Sequence, residues 1–181
     1  LSDFSHPATE ITIQGEVFSH LLYQFRFAYS GWRYVQIILG GESYSALADG
    51  LQSALAMAGG SPVEHRTDSL SAAFNNHAEE QKLTQAYEAL CAHYNLRATR
   101  NNLGVSHENG AIECAHGSFK RRLDQALKLR GSADFATIKD YQTFLDKVTD
   151  RLNKRCQSRF KDEQLALQAL PGERFMDYSE L

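Results

Sequence analysis

The chain has 181 residues, 43% hydrophobic and 10% aromatic, a size and composition that suit one domain with a sizeable core. Its formal net charge is −3, and no apolar run approaches the roughly 18 residues of a membrane span, which argues against a helical membrane protein. No signal-peptide pattern is seen at its start, and the three cysteines (Cys91, Cys114, Cys156) have no framework spacing, which points to a reducing cytosol.

In chain order, LSDFSH opens an aromatic, β-branched run around Asp3. ATEITI, LLYQFRFAYS and WRYVQIILG follow, rich in Ile, Val, Thr, Tyr and Phe and parted by turn signals at Gln14-Gly15 and Ser30-Gly31. With the strand around Asp3 they predict an antiparallel meander of three strands. Ser43 is placed to cap a helix whose Tyr44, Leu47, Ala48, Leu51, Leu55 and Ala58 share one face, and Gly59-Gly60 and Pro62 stop it. PVEHRTD reads as a fourth strand ending at Asp68.

A helix over about 77–94 comes next, then LRATRNN as a fifth strand. NNLGVSHENG is a loop by composition. Helices over about 109–130 and 134–157 complete the order. The expected fold is α/β and ribonuclease-H-like: a five-stranded mixed sheet, built of the three-strand meander plus two parallel strands, flanked by helices. Residues 1–160 form this core. The Pro-Gly break and acidic residues of 161–181 suggest a linker towards a further C-terminal module, the alternative being a strap packed on the core. A start two residues before Asp3 is read as the edge of a domain cut from a longer protein.

Charge is segregated along the chain. Residues 1–94 hold four basic and ten acidic residues, 95–161 hold fourteen and seven, and 162–181 hold one and five. A basic middle block suits phosphate contacts, since each neutralised phosphate releases counterions, although solvated helix faces give the same composition.

Three carboxylates stand out: Asp3 on the first strand, Asp68 at the end of the fourth, and Glu113 in the first turns of the helix inside the basic block. Convergent carboxylates repel one another unless divalent cations offset their charge. Glu108 competes for the third place but falls in the predicted loop. Glu113 and Lys120, seven residues apart, differ by about 20° in helical azimuth. His116 lies on the same side. Ile112, Ala115, Phe119, Leu123, Ala126 and Leu127 form an apolar stripe for the sheet. Cys91-Ala-His93 and Cys114-Ala-His116 make poor zinc pairs, because residues two apart on a helix point about 200° apart.

Asp-Phe-Ser-His, Thr-Asp-Ser-Leu-Ser-Ala-Ala-Phe at 67–74 and Asn-Gly-Ala-Ile-Glu at 109–113 resemble the retroviral-integrase-like transposase core. AYSGW, LGGES, YEALCAHYN, TRNN and HENGAIE resemble more narrowly the IstA-type transposases of insertion sequences that carry an AAA+ helper ATPase, over about residues 1–160. The resemblance implies an Asp-Asp-Glu polynucleotidyl transferase for metal-dependent DNA cleavage and 3′-hydroxyl strand transfer. Asp3, Asp68 and Glu113 would hold two Mg²⁺ or Mn²⁺ ions, about 3.5–4 Å apart. His116, Lys120 and Arg121 would contact DNA near the cut.

The same resemblance implies transposon-end and target DNA, the helper ATPase and a homo-oligomeric active assembly as partners, without a membrane. It places the protein in the bacterial cytoplasm at the nucleoid. The alternatives are a non-catalytic DNA-binding or assembly module of the same fold, or a ribonuclease-H-like nuclease.

Overall fold

The computed structural model describes residues 1–67, 77–99 and 106–176, and, of these, the side chains outside 77–83 and 106–117. The elements in chain order are β1 (Ser2–Ser5), β2 (Thr12–Ile13), β3 (Glu16–Val17), β4 (Leu21–Arg26), β5 (Arg33–Ile38), α1 (Tyr44–Ala58), β6 (Glu64–Arg66), α2 (His77–His93), β7 (Arg97–Thr99), α3 (Ser106–Arg130), β8 (Asp134–Phe135), α4 (Ile138–Arg155) and α5 (Gln157–Ala166). The class is α/β.

Strand alternation builds two cores. Side chains along a strand point to opposite faces. Leu21, Tyr23 and Phe25 of β4 therefore join one buried cluster with α1 and α2, while Leu22 and Val35 join a second with Phe119, Leu123 and Leu127 of α3 and Tyr141, Leu145 and Val148 of α4. The sheet is the middle layer between two pairs of helices.

The meander is β1-β4-β5, antiparallel throughout, with Asp3 opposite Gln24. ATEITI is not part of it. Gln14 and Gly15 take positive φ (51° and 81°) and turn the chain after two residues of strand, so that β2 and β3 form a small hairpin beside β8. The fourth and fifth strands are β6 and β7, parallel as expected. They form a two-stranded sheet of their own, so the expected five strands are distributed over sheets of three and two, with three more in the β3-β2-β8 sheet. Among the described residues, β1 meets the end of β6 through one parallel bridge, Ser2 with Thr67.

Helix α1 follows its sequence signals. The Ser43 side chain accepts from the Ala46 N–H at 3.1 Å, and Gly59 closes the helix at φ 82° with its N–H on Leu55 O at 2.9 Å. The other boundaries shift. Helix α3 begins at Ser106, so residues 106–110 of the predicted loop are helical and Glu108 belongs to the helix. Asn109 and Gly110 are weak helix formers, but their cost of up to ~1 kcal/mol each is small beside the packing that fixes the rest of this long helix. Helix α4 begins at Ile138, with Thr137 as its cap, because Asp134 is held in strand form: its Oδ1 accepts from Thr12 Oγ1 at 2.6 Å and from the Gly15 N–H at 2.8 Å.

Within 161–181, where the sequence suggests a linker, residues 161–166 complete α5 and 167–176 lie on the core. Leu167, Leu170 and Phe175 pack against the α1/α2 cluster, and Ser61 and Gln168 exchange backbone hydrogen bonds at 2.9 and 2.8 Å. Apolar side chains spaced through this stretch find uncovered core, which its Pro-Gly break and charge conceal in the sequence. No helix among the described residues is long and apolar enough to cross a membrane.

Candidate functional site

Asp3 sits in mid-strand on β1, half-buried between Ser2 and Phe4, both of which face the α1/α2 side. Its cross-strand partner Gln24 donates from Nε2 to Ser5 Oγ at 2.6 Å, which places this row on the other face, the one covered by α3 and α4. The Asp3 carboxylate accepts the Phe4 N–H at 2.8 Å through Oδ1, which orients it against the strand.

Helix α3 crosses the same face. Phe119 is fully buried there, Lys120 beside it is half-buried and Arg121 is exposed. Thr9 Oγ1, in the connection after β1, donates to Asp124 Oδ1 at 2.6 Å and ties that connection to the helix. This contact holds the Asp124 carboxyl below the usual range, with Lys128 adding to the effect.

Thr67, bridged to Ser2, is buried and immediately precedes Asp68; Ser2 immediately precedes Asp3. Asp68 itself lies outside the described residues, as do the side chains of Glu113 and His116, whose backbones belong to α3. Because Glu108 is helical too, loop placement no longer separates it from Glu113. Five residues part them, about 140° in helical azimuth. Among the described side chains no cluster of three His, Cys, Asp or Glu could hold a metal.

Two features escape a sequence reading. Glu42 follows Gly40 and Gly41, both at positive φ (83° and 87°), and this turn brings it towards Asp3. Burial, then the Asp3 charge, pushes the Glu42 carboxyl up, while His6 pulls it down. The LGGES run signals a turn but not its target. The second is a cleft of about 150 Å³ between α3 and α4, lined by Arg122, Arg151 and Arg155 over Ala126, Leu129 and Leu152. The basic block announced the charges, and helix pairing alone gathered these three.

No family model matches the chain. All of it aligns, at 48% identity over 184 residues, with the uncharacterized protein y4jA/y4nE/y4sE of Sinorhizobium fredii (strain NBRC 101917 / NGR234). The chain spans 36% of that relative's length. In structure it is similar to a chain in the simian T-cell lymphotropic virus intasome solved in complex with PP2A regulatory subunit B56 gamma, with a TM-score of 0.55 at 18% identity. That likeness covers 82% of this chain and 45% of the other, and it is a likeness of fold.

Proposed function

We propose that the chain is the catalytic core of an IstA-type DNA transposase, an Asp-Asp-Glu enzyme that cuts DNA and joins the freed 3′-hydroxyl to a target. The observation that carries this is the Ser2–Thr67 bridge. It aligns β1 and β6 in parallel one residue before Asp3 and one residue before Asp68, and consecutive Cα atoms are ~3.8 Å apart. Counting the bridge as pairing, the strands run β5-β4-β1-β6-β7 in one mixed sheet, the ribonuclease-H-like order. The likeness to a chain of a viral intasome supports this reading.

The donor set fits hard divalent cations, which take carboxylate oxygens. Asp3, Asp68 and Glu113 would hold Mg²⁺ or Mn²⁺, which when bound supplies charge neutralisation and an activated water or hydroxyl oxygen. The protein's part is placement. The Phe4 N–H fixes the Asp3 carboxylate, while β6 would deliver Asp68 to the neighbouring strand end and α3 would carry Glu113 over the same face. Lys120 and Arg121, with His116, would meet the phosphates beside the scissile bond, where preorganised positive charge lowers the barrier.

The proposed partners are transposon-end and target DNA, an AAA+ helper ATPase and further copies of the same protein, in the bacterial cytoplasm. The test is a Mn²⁺ titration, together with strand joining on DNA carrying the ends of the element that encodes the protein. Wild type should bind Mn²⁺ and join strands, and Asp68→Asn and Glu113→Gln should abolish joining. DNA binding without any metal-dependent cleavage would leave the non-catalytic module instead, and cleavage without joining would leave a nuclease. Full activity of Glu113→Gln with loss in Glu108→Gln would overturn the third ligand.

A further inference from the structure

A buried polar network joins the two strands of the proposed site. His65 of β6 is 1% exposed, and both of its ring nitrogens are engaged. Nε2 lies 2.6 Å from Ser2 Oγ of β1, and Nδ1 meets the Tyr87 hydroxyl of α2. Ser2 Oγ is also 2.6 Å from the Tyr23 hydroxyl of β4. One set of proton positions is consistent along the chain: Tyr23 donates to Ser2, Ser2 to His65 and His65 to Tyr87. Burial pushes the imidazole down to about 3, so the ring stays neutral and keeps one donor and one acceptor.

The placement matters more than the count of bonds. Ser2 is the bridged residue next to Asp3, and His65 stands three residues before Asp68. Among the described residues, backbone pairing between β1 and the end of β6 is one bridge, and one bridge holds register weakly by itself. The imidazole adds a second point of attachment one strand repeat away, on the buried face opposite Asp3.

We infer that His65 is a positioning residue of the proposed site: through Ser2 it sets the axial register of β6 against β1, and hence the offset between the carboxylates of Asp3 and Asp68. This rests on the transposase reading, since it matters only if those carboxylates share metal. Groups that orient metal ligands without touching the metal typically change affinity by 10–100-fold.

The experiment is a Mn²⁺ titration of the full chain, read by calorimetry and electron paramagnetic resonance. It compares wild type, Asp3→Asn, Ser2→Ala, His65→Leu and His65→Gln, each at a temperature where circular dichroism shows it folded. Wild type should bind two Mn²⁺ with a spin-coupled spectrum. Ser2→Ala and His65→Leu should weaken binding about 10–100-fold and lose the coupling, and His65→Gln, whose amide can both donate and accept, should recover part of it. Ser2→Ala carries the test if His65→Leu fails to fold. Folded Ser2→Ala with wild-type affinity and coupling would overturn the inference and leave His65 a core residue. Wild type and Asp3→Asn alike in Mn²⁺ binding would instead overturn the reading of the site, and this inference with it.

Discussion

Asn153 of α4 treats Arg33 of β5 as a neighbouring strand would: its Oδ1 accepts the Arg33 N–H at 2.9 Å and its Nδ2 donates to the Arg33 carbonyl at 2.8 Å. One helical stretch earlier, Gln142 accepts the Ile37 N–H at 2.9 Å and donates to Val35 O at 3.1 Å. β5 pairs through the ladder with β4, and α4 satisfies the outer edge with side-chain amides, which blocks edge-to-edge association. Asn153→Ala and Gln142→Ala should each cost about 1–3 kcal/mol in urea unfolding. The double variant should also aggregate at concentrations where wild type stays monodisperse by light scattering. Wild-type midpoints in both single variants would show that water replaces the amides without loss.

Gln52 is the buried anchor of the C-terminal strap. Its Oε1 accepts from Tyr94 Oη and from the Phe175 N–H, both at 2.7 Å, and its Nε2 donates to Phe175 O at 3.1 Å. Gln52→Leu should destabilise by about 2–4 kcal/mol, because it strands several buried groups at once. It should also raise hydrogen exchange in 167–176 above that in α1. Uniform exchange changes would mean that the strap is not held through this residue.

Gly50 lies in the middle of α1, where Ala would ordinarily gain up to ~1 kcal/mol of helix propensity. Here a Cβ would come within 2.6–2.8 Å of the buried Tyr23 ring. Overpacking costs about 1–3 kcal/mol, so Gly50→Ala should lower stability despite the propensity gain. A raised Tm in calorimetry would show that Tyr23 can withdraw.

Stability should fall in acid. Burial lowers the pKa of His65 to about 3 and also lowers that of His20. The unfolded chain takes up protons on these rings below about pH 6.5 while the folded chain does not, so stability is complete above that pH and declines as pH drops towards 3. The slope from His65 alone reaches about 1.4 kcal/mol per pH unit. Urea midpoints between pH 7.5 and 4.5 test this, and His65→Gln should flatten the curve; an unchanged slope in that variant would assign the loss to other groups.

Lys120 and Arg121 should act on DNA through charge. Lys120→Gln should weaken binding across unrelated duplex sequences and reduce the slope of log K against log salt by about 1. Arg122→Gln, in the cleft between α3 and α4, serves as the comparison. Equal slopes for Lys120→Gln and wild type in fluorescence anisotropy would remove Lys120 from the phosphate contacts.

The sequence by itself determined the α/β class, the antiparallel meander, the parallel pair β6/β7 and the limits of α1, because alternation, capping Ser43 and stopping Gly59 act through near neighbours. It also exposed Asp3 and the basic block, since residue type and charge need no partner to be seen. It misplaced the start of α3, and it misplaced ATEITI and the start of α4, where Thr12 and Gly15 each bond Asp134 across more than a hundred positions. Only the tertiary structure decided that β1 meets β6 at Ser2 and Thr67, that His65 spends both nitrogens beneath them, that Glu42 turns towards Asp3, and that residues 167–176 lie on the core. Each of these is a pairing of distant groups, and its free energy belongs to the contact, which neither partner's local sequence contains.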